Sequence, residues 1–529
     1  MSEELKSKRA IDKLKNTVIP VFAYGGLAGV LIGAVVSLFN IAATYISQYS
    51  FKIYQWFYDN PYYIPLLFLA LAVLALITAL AHRAIPEVRG SGVPQTEGVV
   101  RGLITFRWLR VLISTIVLSF ISFFSGLSMG SEGPSVQIGA TTAAGAAKLM
   151  NVRLAWQRYV ITGGAGAGLA VAFNAPLTGL VFSLEECHRK FSPMLLLSAS
   201  SAIIFGTVVY RAINFGIFGE WEKHALFDLS NLKIELNDFN LYWMLLILGL
   251  VVGVLAVGFN ISLIKSQKFT DKLGKKFPYW ARLLVTFLLT GVVALFPVVR
   301  NAAGGGAMLI KDIYATADFV WYILLAVLIL KFLLMLLAYN SGATGGLFIP
   351  MLALGAVIGA LMGKLFIACG MSANYYPLMV CVGMTTFFAA SVRTPITATV
   401  LIVEITGYST DFLPAVIAIF SAYIVAELLG NKPVYDSMLE RYLKQNKPCA
   451  TPKVVKLEVD VCEGAFIIDR CISDVLWPAS CVVRGVVRKD ELFVPGADTR
   501  IKSGDVLIVQ AETYDLDETY NYIKGLITQ

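Results

Sequence analysis

The sequence has little charge, few histidines and no closely paired cysteines. Of its 529 residues, 15% are charged and 57% are hydrophobic, whereas a soluble protein carries about a quarter charged residues. It holds three histidines and seven cysteines, and no two cysteines stand in a Cys-x-x-Cys spacing. These shortages argue against a soluble protein and against a metal site, and they predict free thiols in a reducing compartment.

What the sequence has instead is a series of apolar runs between residues 18 and 430. Several of them reach the roughly 20 residues that a helix needs to cross a bilayer. The charged stretch 1–17 is expected to be helical, and its five Lys or Arg residues indicate a cytoplasmic N-terminus. No cleavable signal peptide is predicted. The net charge of +8 includes no long basic cluster, so nucleic-acid binding is not expected.

Three apolar regions are interrupted by Gly, Pro or Asn, at 90–94 (GSGVP), 173–176 (FNAP) and 345–350 (GGLFIP). Non-helical backbone at membrane depth is tolerated only where protein or a water-lined cavity covers it. Broken helices whose ends point at a substrate are a common device of transporters. The interruptions therefore predict a transport pathway lined by helix ends.

The segment 130–134 (GSEGP) places Glu132 at the predicted start of a helix, with Pro134 in its first turn. Free N–H groups and the helix dipole attract anions to such a position. Glu132 is thus an anion attached to the protein that competes with a soluble anion for the same place. An ionisable residue at membrane depth is a functional candidate; the alternative is a helix-capping carboxylate in a buried loop.

The sequence also resembles itself. Residues 133–140 align with 349–356 at an offset of 216, and residues 176–185 align with 395–404 at an offset of 219. Two homologous halves with a ligand site at their interface are therefore predicted. The alignment leaves open whether the halves are inverted or parallel. The alternative is chance similarity between Gly- and Ala-rich helices.

Further neutral donors lie in the interrupted regions. Ser91 is a hydroxyl between two glycines, the loop 345–348 offers N–H groups ahead of a helix expected to begin near Pro350, and Tyr435 follows the last apolar run. Neutral donors suit a transported anion, because conduction needs weak binding at several sites. The alternatives are a turn serine and an interfacial tyrosine.

Two adjacent carboxylates, Glu185 and Glu186, end an apolar run that basic residues follow, which indicates a cytoplasmic end. Neighbouring residues of a helix face different directions, so at most one carboxylate needs to point inward. The functional interpretation is an inner proton acceptor opposite Glu132. The alternative is a solvated helix end paired with Arg189 or Lys190, and Glu404 in the second half is interpreted as structural.

From about residue 431 the sequence becomes polar, and a small α+β domain follows. Strands are predicted at 454–461, 481–488 and 505–510, with a turn at 502–505 and a closing helix at 515–527. This tail has no catalytic constellation. No nucleophile–base pair or metal-ligand set appears elsewhere either, so the protein is not expected to be an enzyme.

These segments, in this order, resemble the CLC family of chloride channels and chloride/proton exchangers. Segment 90–94 looks like the family's GSGIP, 130–134 like its G(K/R)EGP and 346–350 like its GIFAP, and Tyr435 falls where the family has its pore tyrosine. The tail resembles a TrkA-C (RCK C-terminal) domain, most clearly at 482–494 and 498–505.

The resemblance implies an all-α polytopic membrane domain with two inverted repeats and broken helices, followed by a small C-terminal α+β cytoplasmic domain. It divides the chain into a cytoplasmic N-terminal helix, a CLC transmembrane domain, a linker and a TrkA-C-like regulatory domain, at 1–17, 18–443, 444–453 and 454–529. It also implies a homodimer with one pore per subunit, in the cell membrane, with both termini cytoplasmic.

For the site, the resemblance implies that chloride is coordinated by Ser91, Tyr435 and the backbone N–H groups of Leu347 and Phe348. Glu132 would be the external gate, which fills the outer anion site when ionised and carries the proton when neutral. Glu186 would be the internal proton-transfer residue of the exchangers, which the channels generally lack. No cofactor or metal is implied, and chloride is the substrate. Cyclic di-AMP or another small regulator is expected at the tail.

Two positions separate the sequence from parts of the family. Ser131 replaces the usual basic residue before the gating glutamate, which affects external anion attraction. Ser91 argues against the nitrate-selective branch, which tends to have proline there, and against the fluoride branch. We therefore expect a chloride/proton antiporter, with regulation by a ligand of the tail. The alternatives are a passive gated chloride channel and a sensor protein whose membrane part anchors the tail.

Overall fold

The fold is described from a computed structural model. It covers residues 18–105, 107–189, 191–219, 227, 229, 239–273, 277–407, 413–446, 452–478, 481–489 and 491–528. Within these residues it contains 18 α-helices and one four-stranded sheet. The N-terminal helix predicted over 1–17 lies outside the described residues, and so do positions 447–451 of the predicted linker.

The membrane domain is helical throughout its described part. The helices of the first half are α1 (Ile19–Asp59), α2 (Ile64–Ala84), α3 (Val93–Val100), α4 (Trp108–Phe124), α5 (Glu132–Leu149), α6 (Leu154–Phe173), α7 (Pro176–Phe182) and α8 (Pro193–Phe218). Those of the second half are α9 (Phe239–Leu273), α10 (Tyr279–Leu295), α11 (Ala307–Ala315), α12 (Trp321–Ser341), α13 (Phe348–Ala368), α14 (Tyr376–Val392), α15 (Pro395–Thr406), α16 (Leu413–Leu428) and α17 (Val434–Asn446). Among the described helices, seven are long and apolar enough to cross a membrane: α1, α2, α8, α9, α12, α13 and α14.

The predicted interruptions are helix boundaries. Helix α5 begins at Glu132, and α6 ends at Phe173 before Asn174 turns the chain with a φ of 52°. Helix α13 begins at Phe348, two residues before the expected Pro350. The short helix α7 begins at Pro176, directly after the interruption that ends α6, and the short helix α3 begins at Val93 in the remaining one. The membrane domain is therefore built from broken helices, as predicted.

Equivalent residues of the two halves contact each other at the centre of the molecule. The N–H of Gly130 donates to the carbonyl oxygen of Gly346 at 2.8 Å, and the N–H of Gly346 donates back to Gly130 at 2.7 Å. These residues are 216 positions apart, which is the offset of the first alignment. A reciprocal contact between equivalent residues places an approximate two-fold axis between the two glycines.

A second reciprocal contact fixes the relative direction of the halves. Glu185, just beyond α7, accepts hydrogen bonds from the N–H groups of Ile396 and Thr397 in the first turn of α15, at 3.1 and 2.7 Å. Glu404, near the end of α15, accepts in the same way from Thr178 in the first turn of α7, at 2.7 Å. Each helix therefore ends where the other begins. The two helices are antiparallel, as inverted repeats require, and Glu404 has the structural contact that was expected.

The tail is an antiparallel sheet with one helix. Its strands are β1 (Lys453–Asp460), β2 (Cys481–Arg488), β3 (Glu491–Phe493) and β4 (Val506–Thr513), arranged in the order β1-β4-β2-β3, and α18 (Leu516–Ile527) follows. The short strand β3 was not predicted, and β4 continues to Thr513 beyond the predicted end at 510. The polar region after residue 431, to which no structure had been assigned, contains helix α17.

One ion pair fixes the turn between β3 and β4. Arg488 donates to both carboxylate oxygens of Asp505 at 2.7 Å, and the N–H of Lys502 donates to the same group at 2.8 Å. Burial by itself would raise the pKa of Asp505, but these hydrogen bonds hold it below its usual value. The turn at 502–505 is therefore held by a carboxylate that is ionised at neutral pH.

Candidate anion pathway between two buried glutamates

Three helix starts meet at the approximate two-fold axis. Besides the pair formed by Gly130 and Gly346, the N–H of Gly345 donates to the carbonyl oxygen of Gly90 at 3.1 Å. The loops that precede α3, α5 and α13 are thereby tied together. The first N–H groups of a helix have no intrahelical acceptor, so three sets of free donors and three positive dipole ends lie side by side. This is an environment for an anion.

The approach of these loops depends on the small size of Gly133. A side-chain carbon added at Gly133 would lie 2.2 Å from the carbonyl oxygen of Ser91 and 2.7 Å from the Cα atom of Gly346. Both distances are far below van der Waals contact, so a larger residue would separate the loops. The GSEGP motif therefore carries a packing requirement in addition to its glutamate.

Three of the predicted site residues present buried polar atoms without a hydrogen-bond partner. They are the hydroxyl oxygens of Ser91 and Tyr435 and the Oε2 atom of Glu132. Ser91 and Tyr435 are wholly buried, and Glu132 is 2% exposed. Leaving a buried polar group unpaired costs about 1–3 kcal/mol. Such groups gathered in one region indicate a place where a ligand supplies the missing partner.

Glu132 points toward the start of α13. Its Oε1 atom accepts a hydrogen bond from the Ser131 hydroxyl at 3.0 Å. Its Oε2 atom lies 2.5 Å from where a side-chain carbon of Gly130 would be, and that position is 3.2 Å from the Cβ atom of Ile349. A cavity of about 130 Å³ is lined in part by Gly130, Ser131 and Ile349. The residue directly before Glu132 in the chain therefore lines a cavity.

Glu186 is a second buried carboxylate that interacts with Tyr435. The Tyr435 phenol, in the first turn of α17, interacts electrostatically with both Glu186 and Glu132. Glu186 sits in a π-helical turn (Ser183–His188) after α7 and is 1% exposed. Of the two adjacent carboxylates, Glu186 faces inward and Glu185 turns to α15. The alternative interpretation was a solvated helix end paired with Arg189. Arg189 is indeed a partner, with its Nη2 atom 3.4 Å from Glu186 Oε1, but the Glu186 carboxylate is buried and not solvated. Lys190 lies outside the described residues.

The structure adds charged residues that the sequence analysis missed. Glu97 in α3 is buried and pairs with Arg101 at 2.8 Å, and Asp436 in α17 pairs with Arg189 at 2.8 Å. Together with Glu186 they form a cluster of five ionisable side chains joined by ion pairs. The available signal was the i,i+4 spacing of Glu97 and Arg101 directly behind the GSGVP motif.

Two further buried side chains contact the loops that precede α5 and α13. The Tyr339 hydroxyl donates to the carbonyl oxygen of Gly345 at 3.0 Å and interacts with Ser91. Lys331 is wholly buried and donates to the carbonyl oxygen of Gly304 at 3.1 Å. Among the described residues no carboxylate lies within ion-pair distance of Lys331. Its sequence signal was a lone cation inside the apolar run 319–338.

Comparisons with known proteins bear on this geometry. The sequence matches the voltage gated chloride channel family over residues 71–427. The chain belongs to the CLC family. Its tail matches the TrkA-C domain over residues 457–524. Both resemblances noted from the sequence are thereby confirmed.

The curated relatives include bacterial exchangers. The H(+)/Cl(-) exchange transporter ClcA of Yersinia pseudotuberculosis serotype IB (strain PB1/+) is 32% identical over 85% of this chain and 94% of its own length. The protein of the same name from Klebsiella pneumoniae subsp. pneumoniae is also 32% identical, over 83% of this chain and 92% of its own length.

Solved CLC structures share the fold. A slow cyanobacterial Cl-/H+ antiporter superposes with a TM-score of 0.72 at 30% identity, covering 81% of this chain and 99% of that one. A CLC-type fluoride/proton antiporter gives a TM-score of 0.64 at 22% identity, over 79% of this chain and 97% of its own, which shows the fold alone. The chain is therefore a membrane protein with the CLC fold.

Proposed function

We propose that this CLC protein is a chloride/proton antiporter. The observation that carries the proposal is that the Tyr435 hydroxyl, which has no hydrogen-bond partner, interacts with two buried carboxylates, Glu132 and Glu186. A passive anion pathway needs the donors but not a second buried carboxylate beyond them. The exchanger names of the relatives that cover most of the chain support the same function.

Chloride would bind where the free donors converge. Ser91 and Tyr435 would each donate an O–H group, and Leu347 and Phe348 would donate backbone N–H groups from the start of α13. All four are neutral, and the helix dipole adds only a partial positive charge. Such a site holds the anion without trapping it, as turnover requires.

Glu132 would act as the external gate and outer proton carrier. When ionised, its carboxylate competes with chloride for the free N–H groups beside it. When protonated, it no longer competes, so chloride takes the place that it leaves. Glu186 would take up the proton at the inner end. Because one site is filled either by chloride or by the glutamate, movement of the anion in one direction drives the proton in the other.

A reconstituted transport assay tests the proposal. Purified protein in liposomes with a chloride gradient is expected to drive protons against their own gradient, as read by an external pH electrode, and an uncoupler should collapse that gradient. The Glu186→Gln variant is expected to lose proton movement. Chloride movement in the wild type without any proton movement would instead identify a passive channel.

Regulation by the tail is a second part of the proposal. Arg158 in α6 donates to the carbonyl oxygen of Val100, the last residue of α3, and to that of Leu476 in the tail, each at 2.7 Å. Helix α3 begins behind Ser91, so a displaced tail would move a helix that carries the anion site. Cyclic di-AMP, or another small regulator, is the proposed ligand. Labelled nucleotides offered to the full-length protein test this, and absence of binding would favour a purely structural tail.

The remaining parts of the proposal rest on family membership. We place the protein in the cell membrane as a homodimer that is not an enzyme, with both termini cytoplasmic and the domain boundaries given by the sequence. Light scattering of the detergent-solubilised protein tests the dimer. Labelling of a cysteine introduced in the tail, in intact and in permeabilised cells, tests the side of the membrane.

A further inference from the structure

At the inner end of the pathway, two buried carboxylates contact the same nitrogen of one guanidinium group. Arg189 Nη2 lies 3.4 Å from Glu97 Oε1 and 3.4 Å from Glu186 Oε1. The side chains of Glu97 and Glu186 are 0% and 2% exposed. Arg189 therefore joins a residue of α3 to the predicted proton acceptor.

The charges of this cluster do not balance. Glu97, Glu186 and Asp436 contribute three carboxylates, whereas Arg101 and Arg189 contribute two guanidinium groups. Full ionisation would leave one uncompensated negative charge in a largely buried site, which is costly. One bound proton removes that charge.

The position of the proton follows from exposure and hydrogen bonding. The Asp436 side chain is 23% exposed and pairs with both arginines, so it has both solvent and two cations as partners. Glu97 and Glu186 lack solvent, and Glu97 Oε2 is buried without any hydrogen-bond partner. Carboxylates that are close together in such a site share a proton, because both cannot readily be ionised.

We infer that Glu97 is a second proton-carrying residue of the inner site, which shares one proton with Glu186 across Arg189. The inference rests on the proposed antiport function and deepens it. The ionisable groups that interact with Glu97, from α3, α17 and the segment 183–189, are Arg101, Glu186, Cys187, Arg189, Tyr435 and Asp436. A proton that enters from solvent past the partly exposed Arg189 and Asp436 thus meets two acceptors.

The test measures how proton transport depends on internal pH in the full-length protein in liposomes, expressed as the ratio of proton to chloride flux. In Glu97→Gln, two carboxylates face two guanidinium groups, so the inner site binds a proton less readily. We expect the pH of half-maximal proton transport to fall by about one unit. Glu97→Asp keeps the carboxylate and is expected to restore the wild-type profile.

Arg101→Gln is the matched control. It removes the same ion pair but leaves three carboxylates against one guanidinium group, so the half-maximal pH is expected to rise. A purely structural role of the pair predicts parallel losses of both fluxes in both variants, with no opposed shifts. If Glu97→Gln does not fold, the upward shift in Arg101→Gln and the intact profile of Glu97→Asp decide the question.

The outcomes separate this inference from the proposed function. Unchanged pH profiles in Glu97→Gln and Arg101→Gln, combined with lost coupling in Glu186→Gln, would overturn the role of Glu97 alone. Coupling that survives in Glu186→Gln as well would overturn the proposed inner site, and the role of Glu97 with it.

Discussion

In the two halves of the membrane domain, equivalent helices carry different side chains at the positions that matter for transport. With the offset of 216, Glu132 corresponds to Phe348. With the offset of 219, Glu186 corresponds to Ile405, whereas the neighbouring Glu185 corresponds to Glu404. The capping carboxylates are thus present in both halves, and the inward-facing carboxylates are present in the first half only.

In the proposed mechanism, this difference lets one architecture bind both a carboxylate of the protein and a mobile anion. At the first helix start, Glu132 supplies a carboxylate attached to the protein. At the equivalent start in the second half, Phe348 supplies an N–H group and an aromatic ring that packs on Phe388 at 4.2 Å between ring centroids. The contacts that join the halves are symmetric, but the side chains at the two equivalent helix starts differ in chemistry.

The largest effect on transport is expected from replacing Glu132, whose equivalent in the second half is Phe348. Glu132→Gln keeps the side-chain volume but neither ionises nor carries a proton, so the ratio of proton to chloride flux in liposomes should fall at least tenfold, which corresponds to about 1.4 kcal/mol or more. Phe348→Leu is the control at the equivalent position, since it keeps the backbone N–H and should keep coupling. Uphill proton movement that persists in Glu132→Gln would place the gate at another residue.

A smaller effect, on stability and of similar size in the two halves, is expected from replacing the equivalent capping carboxylates Glu185 and Glu404. Glu185→Gln and Glu404→Gln each remove charge-assisted hydrogen bonds to a helix start, which are worth about 1.5–3 kcal/mol. Thermal unfolding in detergent should show comparable losses for the two variants. Glu427→Gln is the control, because this residue is 53% exposed in its pair with Arg393 and should cost little. Clearly unequal losses would contradict the two-fold relation of these contacts.

The broken helices and the motif residues could be predicted because their signals are local. Gly and Pro mark the helix starts, so Glu132 could be placed at one of them from the sequence. The repeat alignment identified equivalent residues such as Glu185 and Glu404. It could not give the direction of the halves, because an alignment says which residues correspond and not which end of a helix meets which. The reciprocal hydrogen bonds supplied that information.

The distant partners of the buried polar groups could not be predicted from local patterns. Glu97 lies in a short polar segment behind a motif, and nothing in its neighbourhood indicates that it meets Arg189, which is 92 positions later in the chain. Tyr339 lies in an apolar run, where its hydroxyl has no distinguishing context until Gly345 is folded back against it. Both depend on tertiary contacts between distant segments.

The smallest effect concerns a third unequal pair, Lys331 and its counterpart Thr115 at the offset of 216. Lys331 is a buried cation whose partners are a hydroxyl and backbone carbonyl oxygens beside the loop that precedes Glu132. Replacing an unpaired buried charge by an apolar side chain removes a desolvation cost, so Lys331→Met should raise the unfolding temperature in detergent. It also removes a positive charge near the cavity beside Ser131, where the sequence lacks the family's usual basic residue.

Chloride affinity in Lys331→Met should therefore fall, by about threefold for an interaction that a polar environment weakens. Lys331→Arg keeps the charge and should keep the affinity, which separates an electrostatic role from a packing role. Stability and affinity are thus expected to move in opposite directions in one variant, as measured by thermal unfolding and by calorimetric chloride titration. A variant that becomes more stable and binds chloride as before would mean that the charge of Lys331 does not reach the anion site.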